Sequence, residues 1–190
     1  MLLREAAQTG SVVLGVDTFQ FLDEAAVRGI LGEFFPQLDS LLRTSAGPST
    51  GLSSWDIEKL LGGRPRFVSL DGSHLALDVQ YDLNLAASVT SEAGIVSVDD
   101  FINPMTLGVN QAMARFMIAG GGDQLSPFFY CTNKLFCCRP SYRDAYMQAA
   151  ESFVRSHTTY REAAAFVKAD AVWRGSVEVE YFGHKLLIVH

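Results

Sequence analysis

The sequence is poor in charge, in cysteine and in long apolar runs, and each shortage excludes something. Charged residues make up 19% of the 190 positions, and the formal charge is -6. No run of Lys and Arg appears anywhere. A nucleic-acid partner needs a basic face, so none is expected. There are three cysteines, an odd number that cannot pair completely. Cys137 and Cys138 are neighbours within one apparent strand. Cys131, Cys137 and Cys138 therefore read as small buried hydrophobes in a reducing, cytoplasmic setting. No apolar run approaches the roughly 18 to 20 residues of a membrane span. Arg4 and Glu5 interrupt the stretch an export signal would keep apolar. Internal repeats and low-complexity tracts are absent too. What is present is globular: 48% of the residues are hydrophobic, enough for one domain over 1–190 with a real core.

Taken in order, strands and helices alternate. A short helix-forming stretch, Met1 to Gln8, stops at Thr9 and Gly10, and Ser11 to Asp17 follows as a buried strand. Phe21 to Phe35 has helical composition ended by Pro36. Leu38 to Arg43 is a weakly signalled strand, Thr44 to Ser54 a loop, and Trp55 to Leu61 a short helix stopped by Gly62 and Gly63. Arg66 to Asp71 is a strand. Leu75 to Leu85 carries two patterns at once, strand-like alternation and a helical stripe of Leu77, Tyr81, Leu85 and Val89. Because two parallel strands need a crossover between them, the helix is the reading preferred. Ile95 to Val98 is the second strand of that unit. Gly108 to Gly122 forms an amphipathic helix with Val109, Ala112, Met113, Phe116 and Met117 on its apolar face. Pro127–Cys131 and Lys134–Cys138 read as strands around Thr132 and Asn133. Ser141 with Asp144 suggests a capping box opening another helix. Ser176 to His190 reads as a hairpin turning near Phe182 to His184. The order predicts an α/β fold with a doubly wound, mostly parallel sheet and an antiparallel edge.

The chemistry is concentrated between Arg66 and Asn103. Two apolar runs there, Phe67 to Leu70 and Ile95 to Val98, each end in acid: Asp71 after the first, Asp99 and Asp100 after the second. Open α/β sheets bind ligands beyond the carboxyl ends of their strands. Three converging carboxylates repel one another, and a hard cation such as Mg²⁺ relieves this because it takes oxygen ligands. His74 lies three residues past Asp71, where a neutral imidazole can accept a proton from a hydroxyl held near the metal. Asn103 adds a neutral donor or acceptor. Singly, each of these acids also fits an ordinary turn or helix cap. Asp17, ending an early strand, suits ribose hydroxyls as well as it suits a turn. Ser45, after the weak strand, is a possible contact to a cofactor base. Trp55, Phe101 and Tyr130 could line an acceptor pocket, but core packing is the better reading for each.

The runs FVSLDGSH, YDLNLA, GIVSVDDFINP, LGVNQAMARF and NKLFCCRP together resemble one branch of the class I SAM-dependent methyltransferases. Its characteristic runs are D-G-G-H and D-D-x-x-N-P, and it includes macrocin-type sugar O-methyltransferases. The resemblance covers about Ser11 to Pro140. It implies a Rossmann-like methyltransferase sheet, Mg²⁺ on Asp71, Asp99 and Asp100, and His74 as general base. It also implies SAM as cofactor, with Asp17 at its ribose; Asp71 is expected on the cofactor side as well. Ser73 departs from the second Gly of D-G-G-H, a change a small side chain tolerates.

The resemblance further implies that the family's first strand and its Gly-rich SAM loop precede the strand at Ser11 to Asp17. On that basis the chain is expected to be a methyltransferase domain truncated at its N-terminus. The expected activity is metal-assisted O-methylation of a sugar or other small-molecule hydroxyl, in a possible homo-oligomer with no membrane partner. The alternative is a non-catalytic remnant serving as an interaction subunit. A weaker option is the chemistry of the cephalosporin hydroxylase-like proteins, which an iron requirement would reveal.

Overall fold

The computed structural model describes residues 2–173 and 179–189, in two compact units, Met1–Pro65 and Arg66–His190. The first holds α1 (Leu2–Thr9), β1 (Val13–Asp17), α2 (Glu24–Phe34), α3 (Leu38–Leu41), β2 (Leu42–Ala46) and α4 (Ser54–Leu61). β1 and β2 pair in parallel, with Val13 opposite Leu42 and Asp17 opposite Ala46, so their carboxyl ends lie together. The strand expected at Leu38 to Arg43 starts later and runs further. Leu38 to Leu41 makes one helical turn that buries both leucines, and pairing with β1 recruits Thr44 to Ala46 from the expected loop. α4 opens with a capping box: the Ser53 hydroxyl accepts from the Asp56 N–H, and Asp56 accepts from the Ser53 N–H. Trp55 is not core. It is 64% exposed, with the Lys59 ammonium 4.6 Å from its ring centroid.

The second unit contains β3 (Phe67–Leu70), α5 (Ala76–Val89), β4 (Ile95–Val98), α6 (Leu107–Ile118), β5 (Ser126–Cys131), β6 (Lys134–Cys138), α7 (Arg143–Ser156), α8 (Arg161–Trp173), β7 (Val179–Tyr181) and β8 (His184–Val189). Its sheet has the order β3-β4-β6-β5-β8-β7. β3, β4, β5 and β8 run one way, while β6 and β7 run the other. β7 is the antiparallel edge, and a second antiparallel strand, β6, lies inside the sheet. Ser176 to Glu178, the start of the expected last hairpin, lie outside the described residues.

Alternation along the strands feeds two cores. Leu135 and Cys137 of β6 and Tyr130 of β5 pack with α5 and α6. Phe129 and Cys131 of β5, with Leu187 and Val189 of β8, pack with α7 and α8. Helices therefore cover both faces of a mostly parallel sheet, the α/β Rossmann-like architecture expected.

The apolar face predicted for α6 is the buried one: Val109, Ala112, Met113, Phe116 and Met117. For α5 the helix is present but the predicted stripe is not its buried face. Leu77 and Tyr81 are exposed, and burial falls on Val79, Asp82, Leu83, Ala86, Ala87 and Val89. The capping box expected at Ser141 is also absent. A 3₁₀ turn over Pro140–Tyr142 leads directly into α7, which has no side-chain cap. α8 was not anticipated, although its Ala-rich, Pro-free and Gly-free sequence has high helix propensity. All three cysteines are free, and Cys137 and Cys138 are buried. Burial pushes the Cys138 thiol up to about 12, so it stays protonated at neutral pH.

Candidate active site

Asp71 is the first residue beyond β3, and Asp99 and Asp100 are the first two beyond β4. The two strands pair in parallel, Leu70 opposite Val98, and the ladder continues one step further as the Asp99 N–H donates to the Leu70 carbonyl at 2.9 Å. The acids are neighbours because the strands are in register. His74 follows Asp71 after the turn Gly72–Ser73. That turn is fixed by the Ser73 hydroxyl, which donates to Asp78 at 2.8 Å and accepts from the Leu75 N–H at 3.2 Å. Ser73 thus ties the His74 loop to the start of α5.

Asp71, His74 and Asp100 each present a ligand atom, and these atoms lie within 4.8 Å of one another. His74 Nε2 is 3.1 Å from Asp100 Oδ2. Asp99 is engaged differently, since Lys134 at the start of β6 donates to its Oδ2. Asp100 accepts on Oδ1 from Asn103 Nδ2 at 3.0 Å and from Asn133 Nδ2 at 2.8 Å. A pocket of about 10 Å³, room for about one water, lies among Asp71, His74, Asp99 and the buried Asp82 of α5.

The electrostatics separate the paired acids. Removal from water pushes the Asp71 carboxyl up; the negative charge of Asp99 and a hydrogen bond with it push the same way. Burial also pushes Asp99 up, but the Lys134 hydrogen bond, the Asp100 N–H, the Lys134 charge and the Asp71 hydrogen bond together hold it below the usual range. If a proton is shared between the two, it therefore belongs on Asp71. The donor set suits a hard cation, with carboxylate oxygens from Asp71 and Asp100 and an imidazole nitrogen at the margin.

Asp17 and Ser45 belong to the first unit. Asp17 closes β1; its Oδ1 accepts from the Phe19 N–H at 2.6 Å and its carbonyl accepts from the Gly47 N–H at 2.8 Å. Its turn role is thus realised, on an exposed carboxylate whose chemical type also fits a ribose diol. Ser45 sits inside β2, opposite Val16, and not beyond the strand end. Lys134, Asn133 and Asp82 received no site role from the sequence. The first two do fall in the run NKLF that carried part of the resemblance, so a signal was present.

Packing beneath the site is tight at Gly108, in the first turn of α6. A Cβ there would lie 2.1 Å from the His74 carbonyl oxygen and 3.1 Å from the Ala76 nitrogen, both backbone atoms. Gly108→Ala should therefore destabilise the chain by about 1–3 kcal/mol by overpacking, and displace the His74 loop. Chemical denaturation checks this; an unchanged midpoint would mean the approach is not tight.

No family model matches this chain, and no curated protein sequence does. Solved structures do match. The chain shares its α/β fold with CalS11. CalS11, a TDP-rhamnose 3'-O-methyltransferase of calicheamicin biosynthesis in its apo form, superposes with a TM-score of 0.53 at 16% identity, covering 67% of this chain and 57% of that one. A second CalS11 structure gives a TM-score of 0.49 at 14% identity, over 67% and 60%. The MycE methyltransferase of mycinamycin biosynthesis, in complex with Mg, SAH and mycinamycin VI, gives 0.46 at 14% identity, over 72% and 46%. The chain thus spans less than two thirds of the length of each. No helix among the described residues is long and apolar enough to cross a membrane.

Proposed function

We propose that this chain is a SAM-dependent methyltransferase that methylates a sugar or other small-molecule hydroxyl with metal assistance. The observation that carries the reading is the convergence of Asp71, His74 and Asp100 within 4.8 Å at the carboxyl ends of two parallel strands. The fold shared with CalS11, itself a TDP-rhamnose 3'-O-methyltransferase, supports it.

In this reading Asp71, Asp99 and Asp100 would hold Mg²⁺, and in the first unit Asp17 and Ser45 would contact SAM. Mg²⁺ would supply a fixed positive charge for the acceptor oxygen, and SAM the methyl group. His74 would take the proton of the acceptor hydroxyl on the ring nitrogen that does not face Asp100, while the new C–O bond replaces the C–S bond of SAM, which leaves as the thioether SAH. The Asp100 carboxylate, 3.1 Å from Nε2, accepts the hydrogen bond on that side, sets the tautomer and stabilises the imidazolium. Proximity and orientation lower the remaining barrier.

Isothermal titration with SAM, paired with transfer of labelled methyl to a panel of glycosides, tests the proposal. Saturable SAM binding is expected, with transfer that EDTA stops and Mg²⁺ restores. Absence of SAM binding would overturn it and favour the non-catalytic reading. The ion pair of Lys134 with Asp99 is the observation on that side.

A further inference from the structure

We infer that Asn133 is a positioning residue that aims the Asp100 carboxylate, and acts through it on His74 and on a cation held beside them. The cation part rests on the metal-assisted reading above; the His74 part rests on geometry alone. Asn133 stands with Thr132 at the tip of the β5–β6 hairpin, at φ +72° and +44°. A two-residue hairpin turn with both residues at positive φ asks for Asn, Asp or Gly on backbone grounds. The turn itself makes no demand on the Asn133 side chain, yet both of its polar atoms are engaged. Its Nδ2 donates to Asp100 Oδ1 at 2.8 Å, and its Oδ1 accepts from the Ile102 N–H at 3.0 Å. Its backbone carbonyl accepts from the Phe101 N–H at 2.9 Å. Three consecutive residues of the loop after β4 are thus fastened to one residue of the hairpin.

The fastening matters because Asp100 lies at φ +53°, a conformation a non-glycine residue keeps only when its surroundings determine it. It also decides which oxygen does what. Oδ1 takes both amide donors, from Asn133 and Asn103, which leaves Oδ2 to face His74 Nε2. Asn133 is neutral, so it orients Asp100 without discharging it. Lys134, the next residue, instead neutralises Asp99. Adjacent residues of one hairpin thus meet adjacent acids differently: Lys134 sets a cation against Asp99, and Asn133 gives Asp100 a neutral amide donor.

Asn133→Gly is the informative variant, since glycine keeps the positive φ and removes only the amide. With Mn²⁺ as the paramagnetic probe, its affinity should fall about 10- to 100-fold, the usual loss when a partner that orients a ligating carboxylate is removed. The thermal midpoint should stay near wild type. In an Asp100→Ala background the same substitution should change Mn²⁺ binding no further. In metal-free protein labelled with ¹⁵N-histidine, the His74 Nε2 signal should move in Asn133→Gly as it does in Asp100→Ala. An unmoved Nε2 signal, or an Mn²⁺ loss that persists without Asp100, would overturn the inference. If wild type takes no Mn²⁺, the metal-assisted reading fails, and the Nε2 signal alone then decides whether Asn133 acts through Asp100.

Discussion

His74→Ala should slow methyl transfer by about 10²- to 10⁴-fold, the usual contribution of a positioned general base, while SAM affinity stays unchanged. The reasoning starts from location. His74 is held by a short turn leaving β3, its Nε2 faces a carboxylate, and its side chain is 47% exposed, so an acceptor can reach it. Loss of the imidazole leaves the three acids and Lys134 in place. Substrate and cation can still be held, and only the proton acceptor is gone. Single-turnover transfer of labelled methyl is the measurement, because it separates chemistry from binding and release. A variant that keeps most of the wild-type rate would remove His74 from the mechanism and leave water, or another carboxylate, as the base.

The acids of this site could be read from the sequence because their signal is local. Three apolar residues around one serine, followed by Asp, is a pattern visible within five positions, and it occurs at Phe67–Asp71 and again at Ile95–Asp99. The stripe of α6 was equally plain, since one helical period joins Val109, Ala112, Met113, Phe116 and Met117. α5 was harder: Leu75 to Leu85 satisfies a period of two and a helical period together. Which face of that helix is buried is settled by where α6 and β4 pack, not by the segment itself. Lys134 and Asn133 show the remaining limit. Both reach the acids across more than thirty residues, and only because β6 inserts antiparallel between β4 and β5. The register that sets Leu135 opposite Val98 brings the preceding lysine to Asp99 and the asparagine before it to Asp100. No periodicity announces an insertion of that kind. A non-local pairing is fixed by the whole sheet, so the partners of the acids stay hidden while the acids themselves are visible.

The orientation of α5 yields the second large effect. Leu83→Ala should destabilise the chain by about 2–5 kcal/mol, the range for leucine truncation in a packed core, while Leu77→Ala nearer the start of the same helix should change stability by no more than about 0.5 kcal/mol. Leu83 is fully buried, in a cluster with Val96 and Val98 of β4, Phe116 of α6 and Leu135 of β6. Leu77 is 73% exposed. Interiors are close-packed, so the void left by Leu83 can close only if β4 or α6 moves. β4 ends at the acids, so the defect should reach the site as well as the stability. Chemical denaturation of both variants, with hydrogen exchange at the β4 and β6 amides to report on this unit, is the measurement. Equal destabilisation by the two substitutions would mean that α5 is rotated from the orientation described, and that the stripe through Leu77 and Tyr81 is its core face after all. Against a typical domain stability of about 5–15 kcal/mol, the expected loss at Leu83 is enough to loosen β4 before the chain unfolds. Cation affinity at Asp71 and Asp100 should then fall in Leu83→Ala and hold in Leu77→Ala, which ties the packing of one helix to the geometry of acids it does not carry.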